Sequence, residues 1–356
     1  MTVEIFKAMA ADSHEQLIFC RDRASGLKAI IGIHDTSLGP ALGGCRMWPY
    51  ETEDDAIVDV LRLSKGMTYK SAAAGSNYGG GKMVIWGDPR KDKSEQMFRA
   101  LGRFVEGLGG RFITDVGTVP GDFVWASYET SHVVALPEEF GGSGDSSIIT
   151  AFGVWKGLKA CAREVFGDPS LKGLKVVVQG VGKVGFHLVR HLHEEGALIT
   201  IADLNDSYVE RVTAKYPVTV VSPEAVYDVE CDIFSPNALG GVINDETIPR
   251  LRCKIVAGAA NNQLKEDRHG DELHARGILY APDYVINAGG LIQVADELLG
   301  YNKERALKKA ASIYDLLSRI FEISKRDNIP TFRAADVMVN ERIEALSRVR
   351  RLYVKK

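Results

Sequence analysis

The apolar positions along the chain follow two rhythms. Residues 27–34 (LKAIIGIH) form a continuous apolar, β-branched run that predicts a buried strand. Residues 53–65 place Ala56, Ile57, Val60, Leu61 and Ser64 at helical spacing, behind a Thr52 suited to cap the helix. Residues 94–107 predict a second amphipathic helix that stops at the glycines of GLGG. A loop of Gly, Ser and Asp at 141–147 separates this first third from the rest and marks a domain boundary. Residues 148–165 predict a helix. Beyond it, short apolar runs at 175–178, 198–202, 218–221, 231–234, 254–257 and 278–280 alternate with polar or helical stretches. That is the pattern of a parallel sheet with right-handed crossovers. From Leu291 onward the pattern is mostly helical, and the last residues (RVRRLYVKK) are basic.

The length of 356 residues suits about two domains. The charge balance, 44 Lys+Arg against 47 Asp+Glu, lacks the basic excess of a dedicated nucleic-acid binder. Cys20, Cys45, Cys161, Cys231 and Cys253 are scattered with no CxxC pair, so neither a disulfide scaffold nor a cysteine-rich zinc site is expected. His187 and His191 are one helical turn apart but have no acidic or cysteine partner at a matching spacing, so no metal site is expected. The N-terminal residues do not read as a signal peptide, and no apolar run reaches the roughly 18 residues of a membrane span. A soluble cytoplasmic protein is the expectation.

The strongest local motif is VVVQGVGKVG. Here GxGxxG follows an apolar strand and opens an amphipathic helix. Gly180 would allow the tight turn, Gly182 the approach of a pyrophosphate and Gly185 the packing of helix on strand, while the helix N-terminus offers free N–H groups to phosphate. Asp203 ends the next strand, roughly 20 residues downstream, where a carboxylate binds the adenine ribose hydroxyls and repels a 2′-phosphate. NAD is therefore expected rather than NADP. A second feature is a pair of lysines in uncharged, glycine-rich surroundings, Lys70 in GMTYK and Lys82 in GGGK. Taken alone they are either two solvated surface lysines or a functional pair. In the second case one grips a carboxylate, and the other has its pKa depressed by its neighbour and by desolvation and serves as a base.

Together these segments resemble the glutamate/leucine/phenylalanine/valine dehydrogenase family. The resemblance is carried by GPALGGCRM (39–47), RLSKGMTYK (62–70), GGGK (79–82), QGVGKVG, AGAANNQL (257–264) and YAPDYVINAGGLIQVADE (280–297). It implies an α/β fold of two domains across a cleft. An N-terminal domain (1–140) would bind substrate and make subunit contacts, a Rossmann-like domain (141–325) would bind NAD, and a helical segment (326–356) would return to the first domain. It implies reversible oxidative deamination of an L-amino acid to a 2-oxo acid, ammonia and NADH. Lys70 would hold the substrate carboxylate, with Gly43, Gly44, Asn261 and Asn262 around it. Lys82 would activate water, and Asp115 would move protons to and from the nitrogen. Leu42, Leu291 and Val294 would line the side-chain pocket. Arg46, Ser146, Thr150, Gly180, Val181, Gly182, Lys183, Val184, Gly185, Asp203, Ala238, Leu239, Ala259, Ala260 and Asn261 would serve the cofactor.

The resemblance also implies a homo-oligomer, an octamer in many relatives, with no nucleic-acid or membrane partner. In this chain Thr114 and Asp115 are adjacent, where family members carry two more residues between them. GPALGG has no extra lysine for a side-chain carboxylate, which favours an apolar substrate. Cys45, the KVG of the glycine loop, GDSS (144–147) and LIQ (291–293) are similar to phenylalanine dehydrogenases, and KRDNIP (325–330) and RHLH (190–193) to leucine dehydrogenases. The expectation is phenylalanine first. Leucine or another branched-chain amino acid, and a non-catalytic NAD-binding protein of the same fold, are the alternatives.

Overall fold

The computed structural model describes residues 3–115 and 120–350, so the 116–118 part of TDVGT and the tail from 351 lie outside the described residues. The chain divides into two compact units. One comprises the residues up to Asp145, Gln293–Asn302 and the chain from Val339; the other comprises Ser146–Ile292 and Lys303–Met338. The first division falls inside the Gly/Ser/Asp loop. The C-terminal return begins at Val339, inside a helix, and the 293–302 excursion joins the first unit through polar contacts. Gln293 Nε2 donates to the Ser143 carbonyl (2.8 Å). The Glu297 carboxylate accepts the Ala135 and Ser143 N–H groups (2.8 Å each) and the Ser143 hydroxyl. Arg342 anchors the final helix by donating to the carbonyls of Ala72 (2.6 Å) and Ser76 (2.9 Å).

The first unit is built on strands β1 (Gln16–Arg21), β2 (Lys28–Asp35), β3 (Ala41–Trp48), β4 (Gly79–Trp86), β5 (Phe112–Asp115) and β6 (Val133–Val134), with helices α1 (Ile5–Ala11), α2 (Glu53–Ala73), α3 (Glu95–Glu106) and α4 (Pro120–Ser127). The sheet order is β1-β2-β4-β3-β5-β6. The β1–β2 and β2–β4 pairs are antiparallel, and the others are parallel. Side chains alternate across β4. Met83 and Ile85 enter a core with Phe98, Leu101, Phe112 and Phe123, whereas Val84 joins Ile57, Val60 and Leu61 of α2 on the other face. Thr52 and Asp55 cap α2 reciprocally. The sequence pattern extends the helix only to Lys65. The observed helix runs on through Gly66, an exposed position where glycine costs about 1 kcal/mol relative to alanine. Lys70 therefore sits in a last helical turn rather than in a glycine-rich loop.

The second unit has strands β7 (Lys175–Gln179), β8 (Leu198–Ala202), β9 (Thr219–Val220), β10 (Ile233–Pro236), β11 (Ile255–Val256) and β12 (Leu279–Tyr280) in the order β12-β11-β10-β7-β8-β9, all parallel. Its helices are α5 (Ser147–Phe166), α6 (Lys183–Glu195), α7 (Asp206–Thr213), α8 (Asp267–Ala275) and α9 (Asp283–Ile286). These are followed by α10 (Gly289–Glu297), which crosses between the units, then α11 (Lys303–Ala311), α12 (Ile313–Asp327) and α13 (Thr331–Arg350). Each apolar run named from the sequence is a strand within one or two residues. Val176, Val177 and Val178 are buried, as the central strand of a doubly covered sheet requires. The order reverses between β7 and β10, which makes that pair the topological switch point where such sheets bind ligands. No described helix is long and apolar enough to cross a membrane.

Candidate active site

In the first unit the chemistry gathers on three neighbouring strands. Gly44 on β3 is paired with Asp115 at the end of β5. On the other side of β3, Leu42 pairs with Gly80 and Cys45 with Met83, and the same register puts Gly44 beside Lys82. Asp115 and Lys82 thus flank a residue without a side chain, on one face of the sheet. Desolvation is the largest influence on Lys82 and pushes its pKa below the ordinary lysine range. The Asp115 carboxylate opposes that shift, and the nearby Arg46 guanidinium adds to it. Arg46, which the sequence reading did not set beside Lys82, is a cation that acts on it. Cys45, fully buried beside Lys82, is a thiol pushed by burial up to about 12.

The helix that carries Lys70 packs closely on this sheet. A Cβ on Gly80 would lie 2.0 Å from the Thr68 nitrogen, and one on Gly43 1.7 Å from the Gly81 carbonyl oxygen, so α2 and β3 both press on β4 where side chains are missing. Thr68 is fully buried, and its hydroxyl is hydrogen-bonded to His34 Nδ1 (2.8 Å). Leu42 is fully buried, and Val294 of α10 nearly so. Arg46 is held by Asp59 (2.9 and 3.1 Å), which also accepts from Tyr50 Oη (2.6 Å) and Arg62 (2.7 Å). Burial pushes the Asp59 pKa up, but the Tyr50 hydroxyl and the two guanidinium groups outweigh it and hold the carboxyl below its usual range. Sequence reasoning missed Asp59. The available signal was a carboxylate at helical spacing among Ala56, Val60 and Leu61, on the apolar face of α2.

In the second unit the glycine loop lies between β7 and α6, at the switch point. Gly180 has φ +90°, and a Cβ there would meet the Ala238 Cβ at 2.7 Å. A Cβ on Gly185 would meet the Gly180 carbonyl oxygen at 2.1 Å, which is the helix–strand packing the motif demands. Gly182, by contrast, faces open space, with nothing nearer to a Cβ than Tyr208 Cε2 at 3.9 Å. Val181 is buried, Val184 partly exposed and Lys183 exposed. Asp203 accepts the Val181 N–H (2.7 Å) and the Asn205 N–H (2.9 Å). A carboxylate has about four acceptor sites, so two are left for donors such as ribose hydroxyls. The loop, with an open glycine at a helix N-terminus and a half-satisfied carboxylate beside it, fits a dinucleotide.

Arg211, which the sequence did not single out, donates to the Val181 and Gly182 carbonyls (3.0 Å each) and stacks on Phe186. Around the loop, Ala259 N–H donates to Asn237 Oδ1 (2.9 Å), Ala260 is buried and Leu239 is exposed. Asn262 holds a left-handed φ of +51°. Asn261 Oδ1 accepts from Asn287 Nδ2 (2.8 Å), and Asn287 is a further residue the sequence reading did not name. On α5 the Thr150 hydroxyl donates to the Ser146 carbonyl (2.9 Å), and both side chains lie against Gly290, just ahead of Leu291. His191 is stacked on Trp155 (5.2 Å between ring centroids).

A glycine loop at the switch point of a parallel sheet, with a separate mixed-sheet unit carrying a desolvated lysine, defines an α/β dehydrogenase. The family model described as Glu/Leu/Phe/Val dehydrogenase, dimerisation domain, matches residues 14–132, and that of Glutamate/Leucine/Phenylalanine/Valine dehydrogenase matches 141–209 and 202–322. The chain belongs to this family, and it is an amino-acid dehydrogenase. It is 59% identical to the leucine dehydrogenase of Geobacillus stearothermophilus over 98% of this chain and 95% of that one. It is 53% identical to the phenylalanine dehydrogenase of Thermoactinomyces intermedius, over 99% and 97%. The crystal structure of L-tryptophan dehydrogenase from Nostoc punctiforme superposes with a TM-score of 0.86 at 45% identity, covering 96% of this chain and 99% of that one.

Proposed function

We propose that the chain catalyses the NAD-dependent, reversible oxidative deamination of an apolar L-amino acid to its 2-oxo acid and ammonia, as a homo-oligomer. The observation that carries this reading is Lys82, desolvated and set against Asp115 across Gly44. NAD, when bound, would supply the acceptor for the hydride of the substrate Cα. Gly180 to Gly185 would hold its pyrophosphate and Asp203 its adenine ribose. Arg46, Ser146, Thr150, Ala238, Leu239 and Ala259 to Asn261 would serve the rest of it. Lys70 fixes the substrate carboxylate, helped by Asn261 or Asn262. Because desolvation lowers its pKa, Lys82 reaches its neutral form nearer to neutral pH than an ordinary lysine does, and takes the proton from the attacking water. Asp115 then moves a proton to or from the substrate nitrogen.

For the side chain we place leucine first. Over the whole chain, leucine dehydrogenases are 56–59% identical and phenylalanine dehydrogenases 52–54%. Cys45, GDSS and LIQ support phenylalanine as a second reading. The missing lysine in GPALGG and the apolar Leu42, Leu291 and Val294 support both over glutamate. The experiment is a kcat/KM panel over Leu, Ile, Val, Phe, Trp and Glu with NAD and NADP. The proposal expects NADH formation with Leu or Phe at the top. Glutamate at the top, or dinucleotide binding without turnover on any amino acid, would overturn it.

A further inference from the structure

Two cysteines that the reaction does not use lie side by side in the second unit. Glu230 is paired with Arg252 and Ile233 with Ile255, so the same parallel register sets Cys231 directly opposite Cys253. Backbone bonds frame the pair, from Cys231 N–H to the Arg252 carbonyl (3.2 Å) and from Lys254 N–H to the Asp232 carbonyl (3.1 Å). The two cysteines lie between the 230/252 bridge and the start of the strand pair at 233/255, where the two segments run side by side, and the strand spacing of about 4.8 Å that follows lies within the Cα separations that a disulfide spans, roughly 4.4–6.8 Å. The two thiols influence each other's protonation. Cys231 is buried against Val177, Phe234 and Ile243, whereas Cys253 is partly exposed.

We propose that Cys231 and Cys253 are an oxidisable dithiol that closes to an intrachain disulfide on contact with a hydroperoxide. The pair is asymmetric in the way such chemistry needs. The neighbouring Cys231 and the Arg276 charge hold Cys253 below the ordinary thiol range, while Cys253 and burial push Cys231 up. Cys253 thiolate attacks the peroxide. An S–O bond forms, the O–O bond breaks, and the alkoxide or hydroxide leaves and takes up a proton. The sulfur loses two electrons to the peroxide and becomes a sulfenic acid. Cys231 then attacks that sulfur: the S–S bond forms, the S–O bond breaks, and hydroxide departs with the Cys231 proton as water. In sum two thiols and one hydroperoxide give one disulfide, one alcohol or water, and one water. The bond would join the chain just ahead of β10 to the chain just ahead of β11. It would leave the loops after those strands, with Asn237 and Asn261, where they are. The oxidised chain is therefore expected to unfold at a higher temperature by several degrees while keeping its turnover within about twofold.

The test treats the reduced full-length protein with one equivalent of hydrogen peroxide, alkylates it under denaturing conditions and maps the peptides. The expected result is a peptide pair joined through Cys231 and Cys253, with the free-thiol count falling from five to three, reversed by dithiothreitol. Cys253→Ser and Cys231→Ala are each expected to lose the cross-link and the rise in unfolding temperature, with the amino-acid turnover of the reduced protein retained. Cys20, Cys45 and Cys161 are buried with raised pKa values and stay reduced. A thiol count that stays at five overturns the proposal, as does a Cys253 sulfinate beside a free Cys231 or a cross-link between chains. None of these outcomes bears on the deamination reading, which the activity of the reduced protein tests separately.

Discussion

Gly80→Ala tests whether the approach of α2 to β4 builds the active site. The added Cβ would lie 2.0 Å from the Thr68 nitrogen, 2.1 Å from its hydroxyl and 2.4 Å from its Cα, against an ordinary contact of at least 3.4 Å. The hydroxyl could rotate away, but nitrogen and Cα are backbone, so helix and strand must part by about 1.4 Å. Thr68 is tied to His34, and Lys70, for which a carboxylate-binding role is proposed, lies two residues further along the same helix, so the displacement should reach it. Overpacking of this kind costs about 1–3 kcal/mol of stability. A misplacement of about 1 Å in a positioned group costs roughly 10²-fold in rate. The control is Gly66→Ala on the same helix, where a Cβ meets nothing within 4 Å and should stabilise by up to about 1 kcal/mol. Thermal melts and kcat/KM with leucine and NAD measure both variants. If Gly80→Ala keeps wild-type melting and activity, or if Gly66→Ala loses as much, the close approach does not position Lys70.

Three further outcomes are expected. Lys82→Met should lower kcat/KM by roughly 10²–10⁴-fold. In the wild type the unfolded chain binds more protons between the lowered Lys82 pKa and its ordinary value, so stability should rise with pH through that window and the variant should lack the rise; equal melting profiles from pH 7 to 10 would exclude a desolvated Lys82. Asp203→Ala should narrow the preference for NAD over NADP and weaken NAD binding, because the loop also loses the carboxylate that accepts the Val181 N–H; an unchanged ratio of kcat/KM values would reject this role. His191, held by desolvation at about 4 against an ordinary 6.5, should cost up to about 3 kcal/mol of stability as pH falls from 6.5 to 4, since the unfolded chain takes up the proton first. His14 and His34 are lowered in the same direction. His191→Phe should therefore flatten part of the acid limb in pH-dependent denaturation, and a limb that does not change would contradict the desolvated imidazole.

What was legible in the sequence is what local geometry dictates. The roles read into Gly180 and Gly185 are requirements of one turn and one helix–strand contact a few residues apart, and the fold carries both, with Asp203 adjoining through Val181. Short apolar runs marked the second unit's central strands for a similar reason, since burial on both faces of β7 and β10 leaves mostly apolar residues in the run. The limit of such reading appears at Gly66, where a residue that commonly ends a helix is overridden by the packing of Thr68 on Gly80, and the helix carries Lys70 with it.

Contacts between residues distant in sequence were not legible. Asp59 is a surface-type residue on a buried face until Arg46, Tyr50 and Arg62 converge on it from a strand, a loop and its own helix. Nothing in the 293–302 stretch announces that it belongs with the first unit, because the decisive group, the Glu297 carboxylate, gains its meaning only from the Ala135 and Ser143 N–H groups it satisfies. The same reasoning applies to the substrate. The expectation of phenylalanine rested on short segments, Cys45 among them, yet Cys45 is fully buried in the core of the first unit as a high-pKa thiol. A side chain sealed in a core is a weak guide to which apolar substrate a chain accepts. Between leucine and phenylalanine the discrimination expected of an apolar pocket is modest, since each methylene is worth only about 1–3 kcal/mol.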